Sequence, residues 1–301
     1  MNVLALLRAM RPQQWSKNAF VLAALAFAWG DRTLVPPVGN AEALRVLCAF
    51  AAFCCAASAI YLVNDVLDAE QDRLHPEKRT RPIASGALAV PVALGAAVAL
   101  VAGALLLAHR ASGAGWDVAW VVGAYTLLNL AYSLKLKHVA LLDVFCIALG
   151  FLLRVIAGGL ASGAPVSHWL LLCTLFLALF LALNKRRAEL ALLGDGGASH
   201  RAALGAYTLG FLDQMVTVLA AATLVCYALY TVDPQTSAKF GGHARLLWTV
   251  PCVVFGLARY MLLVQSGRAG GNPTRIFLGS DPLFLANTLL WAGLVYWAIR
   301  A

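Results

Sequence analysis

An all-α, polytopic membrane protein is the fold class that the sequence predicts, and three observations carry that prediction. Of 301 residues, 61% are hydrophobic and only 12% are charged, whereas an ordinary soluble domain carries about 25% charged residues. Apolar runs long enough to cross about 30 Å of hydrocarbon recur along the whole chain. The basic residues, finally, fall mainly in alternate connections, as a membrane orientation requires. In hydrocarbon every backbone polar group has to be satisfied internally, so the runs are expected to be helices. Together they make a single integral-membrane domain over residues 1–301.

About nine spans are expected, at least about 18 residues each where they cross fully. They cover residues 17–30, 42–65, 87–108, 116–134, 140–162, 166–187, 212–232, 245–265 and 282–300. The first follows the polar lead R11-P-Q-Q-W-S-K-N18, and no signal-peptide cleavage pattern precedes it. The second ends in Y61-L-V-N-D-V-L-D-A-E-Q-D-R-L-H-P-E-K-R-T-R-P82. The fourth ends in Y132-S-L-K-L-K-H138, the fifth carries Arg154 in its interior, and the sixth ends in N184-K-R-R-A-E189. Glycine-rich residues 194–200 read as a loop.

With the N-terminus in the cytoplasm, that side receives Arg8, Arg11, Lys17, Arg73, Lys78, Arg79, Arg81, Lys135, Lys137, Lys185, Arg186, Arg187, Arg201, Arg268 and Arg275. The other side receives Arg32, Arg45, Arg110, Lys239, Arg245 and Arg300. Fifteen against six orients the chain in the inner membrane with its N-terminus inside and its polar rim facing the cytoplasm. The net charge of +9 is thereby spread over short interhelical connections. That distribution argues against a nucleic-acid partner. The seven cysteines lie within apolar runs without metal-ligand spacing and read as small hydrophobes.

The end of the second span concentrates the acidic residues. Continuing its helix at about 100° per residue from Asn64 puts Asp68 at about 40°, Asp72 at about 80° and Asp65 at about 100°, while Glu70 points away at about 240°. Three carboxylates and an amide then share one quadrant. Like charges so placed repel, and a divalent cation relieves the repulsion. An all-oxygen set favours Mg²⁺, with Mn²⁺ as the other candidate. The competing reading is a solvated helix end whose acids pair with Arg73, Lys78, Arg79 and Arg81, with His75 as part of the turn at Pro76. Phosphate oxygens would be received by Lys78 and Arg81, by Arg11, Gln14, Lys17 and Asn18, and by Tyr132, Lys135 and Lys137; each cation is also explained by topology alone.

On the sixth span, Lys185 lies at about −40° and Arg186 at about +60° from Glu189, with Arg187 opposite at about 160°. A plain surface pair between Lys185 and Glu189 is the other reading. Arg154 lies 11 positions after Asp143, about 20° round the helix and about 16 Å deeper. A guanidinium at that depth needs an anion, a carbonyl or water, either a ligand's or a neighbouring helix's. Arg259, beside Tyr260, poses the same question.

These motifs resemble the UbiA superfamily of intramembrane prenyltransferases. The N64-D-x-x-D-x-x-x-D72 pattern is similar to that superfamily's first aspartate-rich motif. R11-P-x-Q-W-x-K-N18, D72-R-x-H-P-x-K-R-x-R-P-I-A84, Y132-S-L-x-L-K-H138, G150-F-L-x-R-x-I-A-G-G159 and K185-R-x-A-E189 narrow the likeness to the decaprenyl-phosphate phosphoribosyltransferase branch. The resemblance implies a UbiA-like helical fold and a Mg²⁺-dependent pentosyltransferase. It would move 5-phosphoribose from 5-phosphoribosyl 1-diphosphate (PRPP) to a polyprenyl phosphate, for cell-envelope polysaccharide precursors. Asn64, Asp65, Asp68 and Asp72 would hold the metal; Asp65, Asp68, Asp72 and Arg154 would be catalytic; Lys185, Arg186 and Glu189 would join the phosphate-binding set. One departure stands out: prenyl-transferring relatives carry a second D-x-x-x-D motif where this chain has Lys185, Arg186 and Glu189. Prenyl transfer from a diphosphate to an aromatic acceptor is the alternative within the superfamily. A transporter is the alternative outside it, although no inverted repeat is evident.

Overall fold

The structure is a computed structural model that describes residues 2–34, 37–76, 78–113, 115–193, 202–241, 244–266 and 281–300. The glycine-rich stretch 194–200 and the arginines Arg201, Arg268 and Arg275 lie outside the described residues. Among the described residues the chain is all-α. The helices are α1 (Val3–Met10), α2 (Phe20–Ala28), α3 (Asn40–Leu67), α4 (Ala69–Leu74), α5 (Val90–Ala111), α6 (Asp117–Leu134), α7 (Leu142–Ser162), α8 (His168–Leu193), α9 (Leu209–Val232), α10 (Pro234–Lys239), α11 (Val250–Gln265) and α12 (Pro282–Arg300).

Among the described residues, seven helical segments are long and apolar enough to cross a membrane: α3, α5, α7, α8, α9, residues Arg245–Gln265 including α11, and α12. The first and fourth of the nine expected spans differ. Residues Pro12–Ala19 form a 3₁₀ helix, and α2 behind it has 9 residues. At about 1.5 Å per residue α2 is far too short to cross alone. Five polar side chains among Pro12–Ala19 (Gln13, Gln14, Ser16, Lys17 and Asn18) keep that turn out of an apolar helix. The fourth span does form a helix, the 18-residue α6, with Trp120 and Leu127 exposed as on a lipid-facing side. Asp117 and Asn129 dilute its apolar character.

The backbone groups into two compact units. The first comprises Met1–Ala26, Val38–Leu134 and Leu153–Pro165. Its α1 starts at Asn2, whose Oδ1 accepts the Ala5 amide at 3.2 Å, and stops at Arg11, which takes a left-handed conformation (φ 53°) just before Pro12. The 3₁₀ lead is then fastened to α3. Trp15 Nε1 donates to Ser58 Oγ at 3.1 Å, Ser58 Oγ donates to the Met10 carbonyl at 3.1 Å, and Asn18 Nδ2 donates to Cys54 Sγ at 3.2 Å. Trp15 thus serves as a pin between segments. Small residues bring the unit's helices close: Ala49, Ala52 and Ala56 on α3 share a buried cluster with Ala104, Ala108 and Ala111 on α5. Such residues are how helices pack when lipid tails are as apolar as leucine.

The second unit comprises Phe27–Pro37, Lys135–Leu152 and Val166–Ala301. Its core joins Val144 and Ala148 of α7, Leu179, Phe180 and Leu183 of α8, Leu212 and Val216 of α9, Tyr260 and Val264 of α11 and Phe284 of α12. Arg259 is explained here. Its guanidinium meets Asp281 at 2.7 and 3.2 Å, and Asp281 Oδ1 also accepts the Phe284 amide at 2.8 Å, capping α12.

Close approach in the first unit peaks at Gly158 of α7, where an added Cβ would stand 2.0 Å from the Val21 carbonyl oxygen. Backbone cannot yield as a flexible side chain can, so Gly158→Ala is expected to lower stability by about 2 kcal/mol or more. Gly103→Ala, on α5 with nothing within 4 Å of its Cβ, is expected to be neutral or slightly stabilising, by up to about 1 kcal/mol. Denaturant or thermal unfolding of the two detergent-solubilised variants checks the contrast.

Candidate active site

The acidic end of α3 is not one continuous helix. Leu67 is its last residue; Asp68 has φ −93° and ψ 4°, and α4 starts anew at Ala69. The uniform rotation expected from Asn64 to Asp72 is therefore corrected: the break at Asp68 resets it. Asp65 and Asp72 are buried at 2% and 3% exposure, Asp68 is half-buried, and Glu70 is exposed as the sequence predicts.

Two guanidinium groups neutralise this pair. Arg11 Nη2 donates to Asp65 Oδ1, and Arg81 Nη1 donates to the same oxygen at 3.3 Å and to Asp72 Oδ2 at 2.6 Å. Arg11 gets there because its left-handed turn carries the side chain across Tyr61, with the guanidinium 4.9 Å from the ring centroid. Of the four cations expected to pair with the acids, Arg81 does. Arg73 Nε donates instead to the Ala84 carbonyl at 3.2 Å, while Lys78 and Arg79 are exposed. His75 Nδ1 accepts the Lys78 amide at 3.4 Å, as a turn residue.

The oxygen set is suited to a divalent cation. Asn64 Oδ1 and Asp65 Oδ2 are shut off from solvent and accept no hydrogen bond from any described residue. Buried acceptors without a donor are costly, and an ion is one way to satisfy them. Among the described residues, no three carboxylate, imidazole or thiolate groups converge closely enough to hold a metal by themselves. A cation here would need further oxygens, as Mg²⁺ takes when a few carboxylates and substrate phosphates share it.

Behind this cluster lies the lead into α2. Asn18 is fully buried; Gln14 and Lys17 are half-buried. Arg154, 6% exposed, donates from Nε to Asn18 Oδ1 at 2.8 Å and from Nη2 to the Tyr125 hydroxyl at 2.9 Å, with its guanidinium 4.6 Å from the Tyr125 ring centroid and 5.6 Å from that of Phe53. Carbonyl and hydroxyl oxygens and two π faces thus solvate the charge at this depth. Tyr125 has no motif to betray it in the sequence.

In the second unit, α7 and α8 bring together a different set. Arg186, 1% exposed, donates from Nε to Asp143 Oδ2 and from Nη1 to Glu189 Oε2, both at 2.6 Å. Asp143 is fully buried, and its Oδ1 accepts the Tyr207 hydroxyl at 2.7 Å. Lys185 is exposed, with Nζ 3.9 Å from Glu189 Oε1. Arg187 turns away to Asp213, as the helical spacing predicts. Arg186, expected among the phosphate-binding residues, is instead enclosed between two carboxylates, while Lys185 beside Glu189 is exposed. Lys135 is exposed and Lys137 half-buried; Tyr132, which belongs to the first unit, is half-buried. Burial pushes the Tyr207 phenol up to about 12, so it remains a donor at neutral pH. Sequence reasoning missed Tyr207, which lies 64 residues from its partner with no periodic relation to it.

The chain is similar to known proteins in sequence and in fold. The sequence profile of the UbiA prenyltransferase family matches residues 18–188. A decaprenyl-phosphate phosphoribosyltransferase of Corynebacterium glutamicum is 39% identical over 98% of this chain and 86% of its own length, and one of Mycolicibacterium smegmatis is 37% identical over 99% and 93%. Among solved structures, a UbiA homolog from Archaeoglobus fulgidus bound to DMAPP and Mg²⁺ superposes with a TM-score of 0.68 at 18% identity, covering 98% of each chain. That likeness is one of fold. Taken with the profile match and the near-full-length relatives, it leads to one conclusion: the chain belongs to the UbiA prenyltransferase family.

Proposed function

We propose that this membrane protein, acting as one catalytic domain, transfers 5-phosphoribose from PRPP to a decaprenyl-type polyprenyl phosphate, giving polyprenylphosphoryl 5-phosphoribose and diphosphate. The observation that carries the reading is the internal neutralisation of the α8 end. There Arg186 takes up both Asp143 and Glu189, and Lys185, 3.9 Å from Glu189, adds a cation on the exposed side. A helix end of that charge suits an anionic phosphate better than a second metal. The relatives named above support the same substrates.

The division of labour follows from the charges. Asn64, Asp65, Asp68 and Asp72 would hold Mg²⁺, or Mn²⁺. When bound, the cation neutralises charge on the departing diphosphate. Arg81 and Arg11 can turn from their carboxylates to diphosphate oxygens, joined by the exposed Lys78. Lys135 and Lys137 would receive the remaining sugar-phosphate charge, and Lys17 and Lys185 the lipid phosphate. Arg154 holds Asn18, and through it the turn that bears Lys17. In the reaction the bond from ribose C1 to the diphosphate oxygen breaks as the bond from a lipid-phosphate oxygen to C1 forms. The attacking monoester is already ionised near neutral pH, so no side chain has to remove a proton. The active face would be cytoplasmic, where PRPP is available, and the product would serve cell-envelope polysaccharide synthesis.

Purified protein supplied with labelled PRPP and decaprenyl phosphate is expected to yield lipid-soluble label. A chelator is expected to abolish it and Mg²⁺ to restore it. Consumption of a prenyl diphosphate with an aromatic acceptor, and indifference to PRPP, would contradict the proposal. Asp65→Ala is expected to lower kcat by at least about a hundredfold, the scale on which loss of transition-state charge stabilisation acts. Arg81→Gln is expected to lower kcat/KM for PRPP by about 10- to 100-fold, matching loss of a charge-assisted phosphate contact.

A further inference from the structure

The network around Asp143 has more contacts than charge neutralisation requires. The Tyr207 hydroxyl both donates and accepts: it donates to Asp143 Oδ1 and accepts the Leu141 amide, each at 2.7 Å. Leu141 is one of two non-glycine residues among those described with positive φ, at 66°. A left-handed conformation costs an ordinary residue about 1 kcal/mol or more, so the surroundings have to hold it. They do so from both sides. The Tyr207 oxygen fixes the Leu141 amide, and the Leu141 carbonyl accepts the Val144 and Phe145 amides at 3.1 and 2.9 Å, starting α7. Tyr207 itself is set by the 3₁₀ turn Ala202–Ala206 before it and by stacking on Phe211 at 6.1 Å between ring centroids.

Just upstream of this fixed point, Lys135 and the 3₁₀ turn Leu136–His138 carry the two lysines assigned above to the sugar phosphate. A continuous line of polar contacts therefore runs from Glu189 through Arg186, Asp143 and Tyr207 to the backbone that presents Lys135 and Lys137.

We infer that Tyr207 is a positioning residue: through Asp143 and the Leu141 amide it fixes the Lys135–Lys137 turn for a phosphate of the soluble substrate, and it touches no substrate itself. Arg186 and Asp143 anchor the phenol, which gives the enclosed guanidinium a role other than ligand binding. The inference rests on the phosphoribosyl-transfer reading for what the lysines bind, and on geometry alone for the clamp.

The test uses the full chain in nanodiscs and Tyr207→Phe, which keeps the ring and removes only the hydroxyl. KM for PRPP is expected to rise about tenfold, the scale on which misplaced binding groups act, with kcat and KM for the lipid phosphate within about twofold of the parent. Tryptic cleavage after Lys135 and Lys137 is expected to quicken about tenfold, with the unfolding temperature and cleavage after other lysines unchanged. Parental KM and parental cleavage in an active variant would overturn the inference and leave the transfer reading intact. A uniform rise in cleavage with a lowered unfolding temperature would also overturn it, because the hydroxyl would then be merely structural. Faster cleavage at the two lysines in a protein that never uses PRPP would uphold the clamp and overturn the transfer reading.

Discussion

A carboxylate cut off from water has to meet a cation, and that requirement organises the polar part of this chain. Asp65 and Asp72 meet Arg11 and Arg81; Asp143 meets Arg186; Asp281 meets Arg259. Removing one member of a buried pair leaves an uncompensated charge and costs far more than the pair is worth. The partners are guanidinium groups in each of these cases. Arginine stays charged in surroundings where lysine readily loses its proton, and its planar fork can serve two carboxylates at once. Arg186 uses the fork in that way, through Nε and Nη1, whereas Arg81 reaches both Asp65 and Asp72 from Nη1 alone. The long apolar helices make the rule stringent, because they leave water only at their ends.

That rule also explains what the sequence disclosed. Hydropathy and basic-residue placement outlined the spans, and seven of the nine segments are long, apolar helices. Acidic spacing after Asn64 marked the acid-rich end of α3, and the spacing on α8 separated Arg187 from its neighbours. What stayed hidden were features set by contacts distant in sequence. The break at Asp68 and the left-handed Arg11 are backbone choices that no helical wheel contains. Arg186 looked available for a phosphate because a wheel shows only its own helix, and Asp143 lies on another. Tyr125 and Tyr207 sit amid apolar residues, where an isolated tyrosine has the same pattern as an ordinary core residue. The first expected span takes a composite form that hydropathy does not show: a polar turn fastened by Trp15 and Asn18 adjoins a helix of 9 residues, and composition averages the two.

The two units also treat the same problem differently. In the first, small residues let backbones approach until only glycine fits, as at Gly158 against Val21. In the second, larger side chains such as Phe180 and Tyr260 fill the interior, and the tightly specified feature is a hydrogen-bonded line. One is held by shape and the other by polarity, so substitutions of equal size should be felt unequally in each.

The pairing of Arg11 and Arg81 with the acids has a kinetic side. In the proposed reaction, guanidinium groups that rest on their own carboxylates would have to surrender those partners before gripping an incoming anion, so capture would be an exchange rather than a gain. The same swap would run backwards once the sugar had moved on. Arginines returning to Asp65 and Asp72 would let go of the liberated leaving group and loosen its hold on the protein. A resting state neutralised from within would thus temper affinity at the outset and speed clearance at the end of each cycle.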